Sequence, residues 1–162
     1  MNKKIVIISS LILFLDQLVK SIVEINEVHF NLIANFLKFN YSQNTGAAFS
    51  ILQGKIHFLI LISVIMLIII YSMTFSYEES KISNCAFGLL FGGILGNLVD
   101  RIFYGFVRDF IDINILGYNF PIFNIADITI VVGVMLLILA TIKGEVKNGN
   151  KGKRFRRENK NW

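Results

Sequence analysis

Long apolar stretches separated by shorter polar segments dominate the pattern of this 162-residue chain. A helix needs about 20 mostly apolar residues to cross a hydrocarbon layer of about 30 Å, because each residue adds about 1.5 Å of length. Four stretches meet this requirement: residues 5–23, 56–75, 82–99 and 123–142. The pattern therefore predicts an all-α membrane protein with four transmembrane helices.

The first apolar stretch contains charged and polar residues, namely Asp16, Gln17 and Lys20, and no small-residue cleavage site follows it. A cleavable signal peptide has an uncharged apolar region that ends at such a site. We therefore expect residues 5–23 to remain in the protein as a helix.

The segment between the first two predicted helices has a different periodicity. Polar and apolar residues alternate through residues 36–41, and Asn44 and Gly46 then mark a turn before residues 47–52. Alternation with a period of two beside such a turn is typical of short strands. We predict a small β-sheet over about residues 26–54, which lies on the membrane surface.

The second long polar segment, residues 100–122, is rich in aromatic residues and aspartate. It ends close to the only proline of the chain, Pro121. Because proline is well tolerated at the start of a helix, we expect Pro121 to introduce the fourth helix.

The composition agrees with a lipid environment. The chain is 54% hydrophobic and 17% charged, whereas a soluble domain is about 45 to 50% apolar and about 25% charged. The formal net charge of +5 depends on residues 143–162, which hold eight of the sixteen Lys and Arg residues. A basic segment directly after an apolar helix is more commonly a topology determinant that contacts anionic lipid than a nucleic-acid site.

The basic residues also predict the orientation in the membrane. Lys3 and Lys4 begin the chain, and the basic tail ends it. With four spans, the positive-inside rule places both termini in the cytoplasm. We predict a transmembrane domain of residues 1–142 and a cytoplasmic tail of residues 143–162, with both long polar segments on the extracytoplasmic side of the membrane.

An ionisable residue near the bilayer centre raises the free energy of helix insertion by about 2.5 to 3.5 kcal/mol. Its presence in a spanning helix therefore needs an explanation. The predicted topology collects several of them near the extracytoplasmic face: Asp16, Lys20, Asp100, Arg101, Asp109, Asp112 and Asp127. Polar groups therefore converge at one face of the membrane.

Structural explanations exist for some of these residues. Asp16 and Lys20 have the i, i+4 spacing of a pair that neutralises itself on one helix face. Asp100 beside Arg101 fits an interfacial anchor whose Arg reaches toward headgroups. Asp127 is harder to explain in this way, because it opens the fourth apolar helix and requires a polar partner.

The third predicted helix carries a series of small residues. Gly88, Gly92 and Gly96 recur at four-residue spacing, beside Gly93. This pattern lets another helix approach closely. It predicts a compact bundle in which Asn97 projects from a crowded interface into a polar site.

Other kinds of site lack their sequence signatures. His29 and His57 are far apart and have no spaced partners for zinc, and Cys85 in an apolar run fits a packing role. No Gly-rich phosphate loop or GxSxG nucleophile turn occurs. Carboxylates are then the groups left to act in catalysis. Two carboxylates held close together share one proton, and the pair supplies an acid and a base at once. These residues alone do not decide which two of the five aspartates form the pair.

Five blocks of the sequence together resemble the lipoprotein signal peptidases, also called the signal peptidase II family. They are residues 16–20 (DQLVK), 44–50 (NTGAAFS), 92–101 (GGILGNLVDR), 107–112 (VRDFID) and 123–127 (FNIAD). The blocks occur in the family order and extend across almost the whole chain except its tail.

The resemblance implies an intramembrane aspartic endopeptidase that acts on prolipoproteins carrying a diacylglyceryl-modified Cys and cuts on the amino side of that Cys. It implies four transmembrane helices in the cytoplasmic membrane of a bacterium, surrounded by lipid, with a small extracytoplasmic sheet that cradles the substrate. We also expect a monomeric enzyme without a cofactor or metal. The residues it assigns are catalytic Asp109 and Asp127, substrate-binding Asn44, Asn97, Arg101 and Asn124, and supporting Asp16, Lys20 and Gly46.

Two rival functions also place polar residues in membrane helices. A small transporter or channel subunit carries intramembrane carboxylates, usually near the bilayer midplane and often in paired broken helices. A scaffold protein uses a Gly-rich helix for association, but it has no need of so many buried carboxylates.

Overall fold

Four helices form the body of the protein. The computed structural model describes residues 2–47 and 51–147. Within them the helices are α1 (Lys3–Ile25), α2 (Ile56–Thr74), α3 (Lys81–Phe103) and α4 (Ile125–Ile142). Each is long and apolar enough to cross a membrane. The four predicted spans are confirmed, and the largest difference is that α3 continues to Phe103 instead of ending at residue 99.

Polar side chains cap the first turns of α1 and α3, and Asn124 does the same for α4. The Asn2 side chain accepts a hydrogen bond from the backbone N–H of Lys4 at the start of α1. Ser80 and Ser83 form a reciprocal capping box at the start of α3. Such caps satisfy backbone N–H groups that the first turn of a helix leaves without partners.

Helix α3 is the centre of the bundle, and most of its residues are buried between the other three helices. Its glycines allow this arrangement. A Cβ atom added at Gly92 would lie 2.6 Å from the side chain of Ile12 in α1. At Gly93 it would lie 2.5 Å from the backbone oxygen of Ala126 in α4. The small-residue series thus brings the backbones of α1 and α4 close to α3, as predicted.

The contact at Gly93 leads to a stability prediction. In Gly93→Ala, the new methyl group would clash with the backbone of α4, which has no flexible end to move aside. Overpacking of this kind costs about 1 to 3 kcal/mol, although helix propensity alone favours Ala over Gly by about 0.8 to 1 kcal/mol. We expect the free energy of unfolding to fall, measured by denaturant titration in detergent micelles. Ser72→Ala on exposed α2 is the control, and a stabilised Gly93→Ala variant would contradict the packing described here.

A four-stranded antiparallel sheet covers one end of the bundle, which we call the sheet end. Its strands are β1 (His29–Ile33), β2 (Leu37–Asn44), β3 (Val107–Ile115) and β4 (Tyr118–Asn119), paired in the order β1-β2-β3-β4. The predicted small sheet is therefore confirmed.

The sheet draws on more of the chain than the sequence indicated. The alternation predicted strands only within residues 26–54, but β3 and β4 come from the second long polar segment. Residues 51–54 form turns instead of the expected strand. Strand β3 was missed because its apolar residues and aspartates gain their partners only by pairing with β2, for example Asp109 opposite Ser42.

The opposite end of the bundle brings together the N terminus, the link between α2 and α3, and the segment after α4. Asn2 donates to Glu79 in the link at 2.8 Å, and Ser80 donates to Glu145 beyond α4 at 2.5 Å. These contacts fit an even number of spans. Of the predicted basic tail, residues 148–162 lie outside the described residues, as do residues 48–50 of the second sequence block.

Candidate active site

The start of α4 orients the first candidate carboxylate. Asn124 caps the helix: its Oδ1 accepts the backbone N–H of Asp127 at 3.0 Å, and its own backbone N–H donates to Asp127 Oδ2 at 3.2 Å. This capping box holds the Asp127 side chain back toward the helix end. A carboxylate in the first turn of a spanning helix is therefore kept at the sheet end of the bundle.

Strand β3 supplies the second candidate carboxylate, Asp109, which is only 2% exposed. Its Oδ1 accepts a hydrogen bond from the Asn124 side chain at 2.6 Å. Its Oδ2 accepts one from the Asn44 side chain at 2.9 Å. Asn124 therefore contacts both carboxylates, that of Asp109 through its side-chain amide and that of Asp127 through its backbone N–H.

Asn97 of α3 contacts Asp127 directly and is connected to Asp109 only through Asn124. Its Nδ2 donates to Asp127 Oδ1 at 2.7 Å, and its Oδ1 accepts hydrogen bonds from Asn124 at 3.1 Å and from Lys20 at 3.0 Å. Asn97 thus projects into a polar site, as its position beside the glycines predicted.

The environment of Asp109 changes its acidity. Burial disfavours the charged carboxylate, and the nearby charge of Asp127 disfavours it further; together they raise the pKa of Asp109 to about 7. Hydrogen bonds from Asn44 and Asn124 act in the opposite direction but are outweighed. A carboxyl group with this pKa can hold a proton near neutral pH and release it during a reaction.

Behind the aspartates lies a buried ion pair. Lys20 and Asp16, both 0% exposed, are 2.7 Å apart, and Lys20 also lies 3.3 Å from Asp100. Asp16 Oδ1 accepts the backbone N–H of Ala126 at 2.9 Å. The expected i, i+4 pair is present, and it also fastens α1 to α3 and to the first turn of α4.

The interpretation of Asp100 and Arg101 as an interfacial anchor is wrong. Asp100 is fully buried and paired with Lys20 and Arg108. Arg101 lines a cavity and donates to the backbone oxygen of Gly46 at 3.2 Å. Successive residues on a helix are about 100° apart, so the two side chains leave α3 in different directions and have different surroundings.

The turn after β2 completes this side of the site. Gly46 donates its backbone N–H to Asn44 Oδ1 at 2.9 Å, while Asn44 Nδ2 contacts Asp109. The predicted Asn and Gly turn therefore holds Asn44 in contact with a carboxylate. Asp112 is placed elsewhere: it lies further along β3, opposite Lys38 of β2.

A cavity of about 650 Å³ opens in front of the carboxylates. Its polar lining includes Asn44, Arg101, Asp109 and Asp127. Its apolar lining includes Phe120, Pro121, Ile122, Phe123, Ile128, Ile130, Val131 and Val132. Several of the α4 residues are also exposed on the outside of the bundle. The cavity therefore joins a polar floor to an apolar wall that continues onto the lipid-facing surface of α4.

Neither Asn97 nor Asn124 is among the residues that line this cavity. Asn124 is 0% exposed, and the amide groups of both residues are engaged with the carboxylates, with each other or with Lys20. The structure thus places them behind the two aspartates, whereas Asn44 and Arg101 reach the cavity. Among the described residues, no group of three or more His, Cys, Asp or Glu side chains is arranged to hold a metal ion.

Three residues around the site had no predicted role. Gln17 donates to Asp100 at 3.0 Å, and Arg108 binds Gln17, Asp100 and Glu24. A glutamine inside an apolar stretch was a signal for Gln17. Arg108 lies within one of the five family blocks, but that block assigned it no role. Glu24 gave no signal, because a charged residue in a polar segment is ordinarily solvated.

Comparisons with known proteins extend across the same part of the chain. The family model described as Signal peptidase (SPase) II matches residues 8–143. Proteins named lipoprotein signal peptidase from Staphylococcus aureus strains JH9 and Newman are each 41% identical to this chain over 143 residues, which is 85% of this chain and 87% of each relative.

Solved structures resemble the chain in fold as well as in sequence. Two structures of a bacterial membrane enzyme, determined by the in meso method at 2.3 and 1.9 Å resolution, match with TM-scores of 0.78 and 0.76. Each is 39% identical to this chain and covers 86% of it, and the match covers 87% and 92% of those chains.

Proposed function

This chain belongs to the signal peptidase II family, and from that premise we propose that it is an intramembrane aspartic endopeptidase. Its substrates are prolipoproteins whose Cys at the cleavage site carries diacylglycerol, and it cuts on the amino side of that Cys. Asp109 and Asp127 are the catalytic pair.

One observation carries this proposal: Asn124 donates from its side-chain amide to Asp109 and from its backbone N–H to the carboxylate of Asp127, and both carboxylates line one cavity. Two carboxylates so placed share one proton, because close like charges do not both ionise readily. Such a pair supplies an acid and a base to the same substrate bond.

The reaction then proceeds by general acid and base catalysis without a covalent intermediate. The ionised carboxylate takes a proton from a water molecule, whose oxygen attacks the carbonyl carbon of the scissile peptide. The protonated carboxyl donates to the carbonyl oxygen. When the tetrahedral intermediate collapses, the C–N bond breaks, the proton taken from water passes to the leaving amine, and one hydroxyl proton of the intermediate returns to the other carboxylate. Burial favours the shared proton on Asp109 before reaction.

The polar residues have two different tasks in this mechanism. Asn97 and Asn124 lie behind the carboxylates and orient them. Asn44 and Arg101 reach the cavity, where an amide and a guanidinium can hold the backbone of an extended peptide. Lys20 and Asp16 support the site from within the bundle.

The apolar wall of the cavity fits a substrate that carries lipid. Ile128 and Val131 line the cavity and are also exposed on the surface of α4. Acyl chains can therefore stay in the bilayer along α4 while the attached peptide reaches the aspartates. This arrangement explains why a peptidase site lies at the end of a membrane bundle.

We further propose that the termini face the cytoplasm and the site faces outward in a bacterial cytoplasmic membrane. Lys3, Lys4, Lys143 and Lys147 lie at the end opposite the sheet, where the positive-inside rule places the cytoplasm. The proposed domain of residues 1–142 and basic tail of residues 143–162 follow this orientation, and the enzyme acts as a monomer.

A transporter or channel function fits the structure less well. The four helices are continuous, and the carboxylates collect at the sheet end of the bundle. Transporters commonly place such groups at the midplane, on broken helices.

The proposal is tested by incubating the purified protein with a synthetic precursor peptide, with and without diacylglycerol on its Cys. We expect cleavage of the lipidated peptide, with a new amino terminus at the modified Cys detected by mass spectrometry. The unlipidated peptide should be cut far more slowly, because it lacks the acyl chains that the apolar wall accommodates. Absence of cleavage, or cleavage at another bond, would contradict the proposal.

The raised pKa of Asp109 predicts how the activity depends on pH. Below about pH 7 the pair retains its shared proton, and above it the proton is lost. We therefore expect kcat to fall as pH rises through this value, measured from initial rates of lipidated-peptide cleavage. A rate that stays constant well above pH 7 would argue against a required proton on the pair.

The same group links pH to stability. Between its ordinary pKa of 3.8 and about 7, Asp109 is protonated in the folded protein but ionised in the unfolded chain. Its contribution to the free energy of unfolding is therefore full below the lower value and is lost as pH rises through the upper one.

A further inference from the structure

Arg108 directly precedes Asp109 in β3, yet it is only 1% exposed and has no part in the chemistry proposed above. Its guanidinium donates to Asp100 Oδ1 at 2.8 Å, to Glu24 Oε2 at 2.9 Å and to Gln17 Oε1 at 2.8 Å. Burial of an arginine is costly unless its charge is paired and its donors are satisfied. The protein meets this requirement with partners from two helices.

Arg108 is fastened to α3 by its backbone as well as by its side chain. Its backbone N–H donates to Asp100 Oδ2 at 3.0 Å, the same carboxylate that the guanidinium contacts. The guanidinium also lies 4.3 Å from the centre of the Tyr104 ring. The first residues of β3 are therefore held in place immediately before Asp109.

Glu24, near the end of α1, connects this arrangement to a second strand. One carboxylate oxygen accepts from Arg108 in β3, and the other accepts from the Tyr41 hydroxyl in β2 at 3.2 Å. Strand β3 carries Asp109, and β2 carries Asn44, which donates to Asp109. The Glu24 side chain thus connects β2 and β3, the two strands that carry Asn44 and Asp109.

We propose that Glu24, Arg108 and Asp100 form a clamp that positions Asp109 against Asp127 for catalysis. The clamp rests on the function proposed above and deepens it. Successive side chains of a strand point to opposite faces, so Arg108 faces the helices while Asp109 faces the cavity. Arg108 is accordingly a positioning residue: it acts through Asp109 and does not touch the substrate.

The clamp has the chemistry that positioning requires. A guanidinium is planar and presents several donors in a fixed arrangement, so it can hold two carboxylates and an amide in one geometry. Asp100 connects the clamp further to Lys20, which contacts Asn97 and through it Asp127. The positions of both aspartates therefore depend on one buried group of ion pairs.

The first test compares Arg108→Met with Arg108→Lys in the lipidated-peptide assay. Met removes the charge and the donors but keeps most of the apolar stem. We expect kcat per folded molecule to fall about 10- to 100-fold, the loss that a misplacement of up to about 1 Å produces, with KM changed by less than about threefold. Lys keeps the positive charge but lacks the planar set of donors of a guanidinium. We therefore expect its kcat to lie between that of Arg108→Met and that of the unaltered protein.

The second test uses Glu24, which lies at the edge of the clamp with 32% of its side chain exposed. We expect Glu24→Gln to fold and to lose kcat by about 3- to 10-fold, less than Arg108→Met, because Arg108 keeps its bonds to Asp100. In the double variant, Glu24→Gln should add little to Arg108→Met, since both act through one contact. Glu79→Gln, at the opposite end of the bundle, is the matched control and should leave kcat unchanged.

The outcomes separate the clamp from a role in folding alone. Size-exclusion chromatography and thermal unfolding in the same micelles give the folded fraction by which each rate is divided. Normal kcat per folded molecule in Arg108→Met would overturn the proposal. If that variant does not fold, Glu24→Gln decides, and an unchanged kcat there overturns the clamp.

The same assay shows which proposal has failed. If Asp109→Asn still cleaves the lipidated peptide, the catalytic pair itself is wrong, whatever the clamp variants do. If Asp109→Asn is inactive while Arg108→Met and Glu24→Gln have normal kcat, only the clamp is overturned.

Discussion

Replacement of either Asp109 or Asp127 by Asn should lower kcat for the lipidated peptide by about 10²- to 10⁴-fold, the usual contribution of a general acid or base. Asn has nearly the same shape as Asp, and its single carbonyl oxygen at position 109 still accepts from one of the two donors, Asn44 or Asn124. It cannot, however, hold or accept the transferred proton. The loss should therefore appear in kcat while substrate binding changes little.

The control for this prediction is Asp112→Asn, on the same strand as Asp109 but paired opposite Lys38. We expect it to retain near-normal activity, because the carboxylate of Asp112 is not among the groups that line the cavity. If Asp109→Asn or Asp127→Asn folds and cleaves at close to the rate of the unaltered protein, the proposed catalytic pair is wrong.

The largest loss of stability is expected for Lys20→Met. Lys20 is fully buried between the carboxylates of Asp16 and Asp100. Removing one partner of a buried ion pair leaves an uncompensated charge and costs about 3 to 5 kcal/mol. Asp100 keeps Arg108 as a partner, so the cost falls mainly on Asp16. Denaturant titration in detergent micelles measures the change in the free energy of unfolding.

Two further variants serve as references for the free energy of unfolding of Lys20→Met. Lys4→Met removes an exposed cation from the start of the same helix and should change the stability by no more than about 0.5 kcal/mol. Combining Asp16→Asn with Lys20→Met should recover part of the loss, because the carboxylate left without its cation is then neutral. A cost below about 1 kcal/mol for Lys20→Met would contradict the view that this ion pair supports the site.

The sequence predicted much of the candidate site, but by two different routes. The cost of ionisable residues in membrane helices drew attention to Asp16, Lys20 and Asp127. It did not choose Asp109 over Asp100 or Asp112, because all five aspartates fall near the same face. The resemblance of five sequence blocks to a family assigned the pair, and the structure brings those two residues together around Asn124.

Asp100 and Arg101 show why adjacency in sequence was a poor guide. They were interpreted together as an anchor, yet Asp100 is buried in an ionic framework and Arg101 faces the cavity. Their different environments depend on which face of α3 meets α1 and β3. A helix that packs against three others has no single polar face that a sequence pattern can reveal.

The four spans, their approximate ends and the existence of a sheet were determined by the sequence alone. The length of an apolar run and the period of polar residues are local properties that do not depend on distant partners. Only the tertiary structure decided that β3 joins β2, that Arg108 is buried against Glu24 and Asp100, and that Asp109 meets Asp127. These contacts join residues far apart in the chain. The helices that carry several of them pack closely only because the glycines of α3 leave room for α1 and α4.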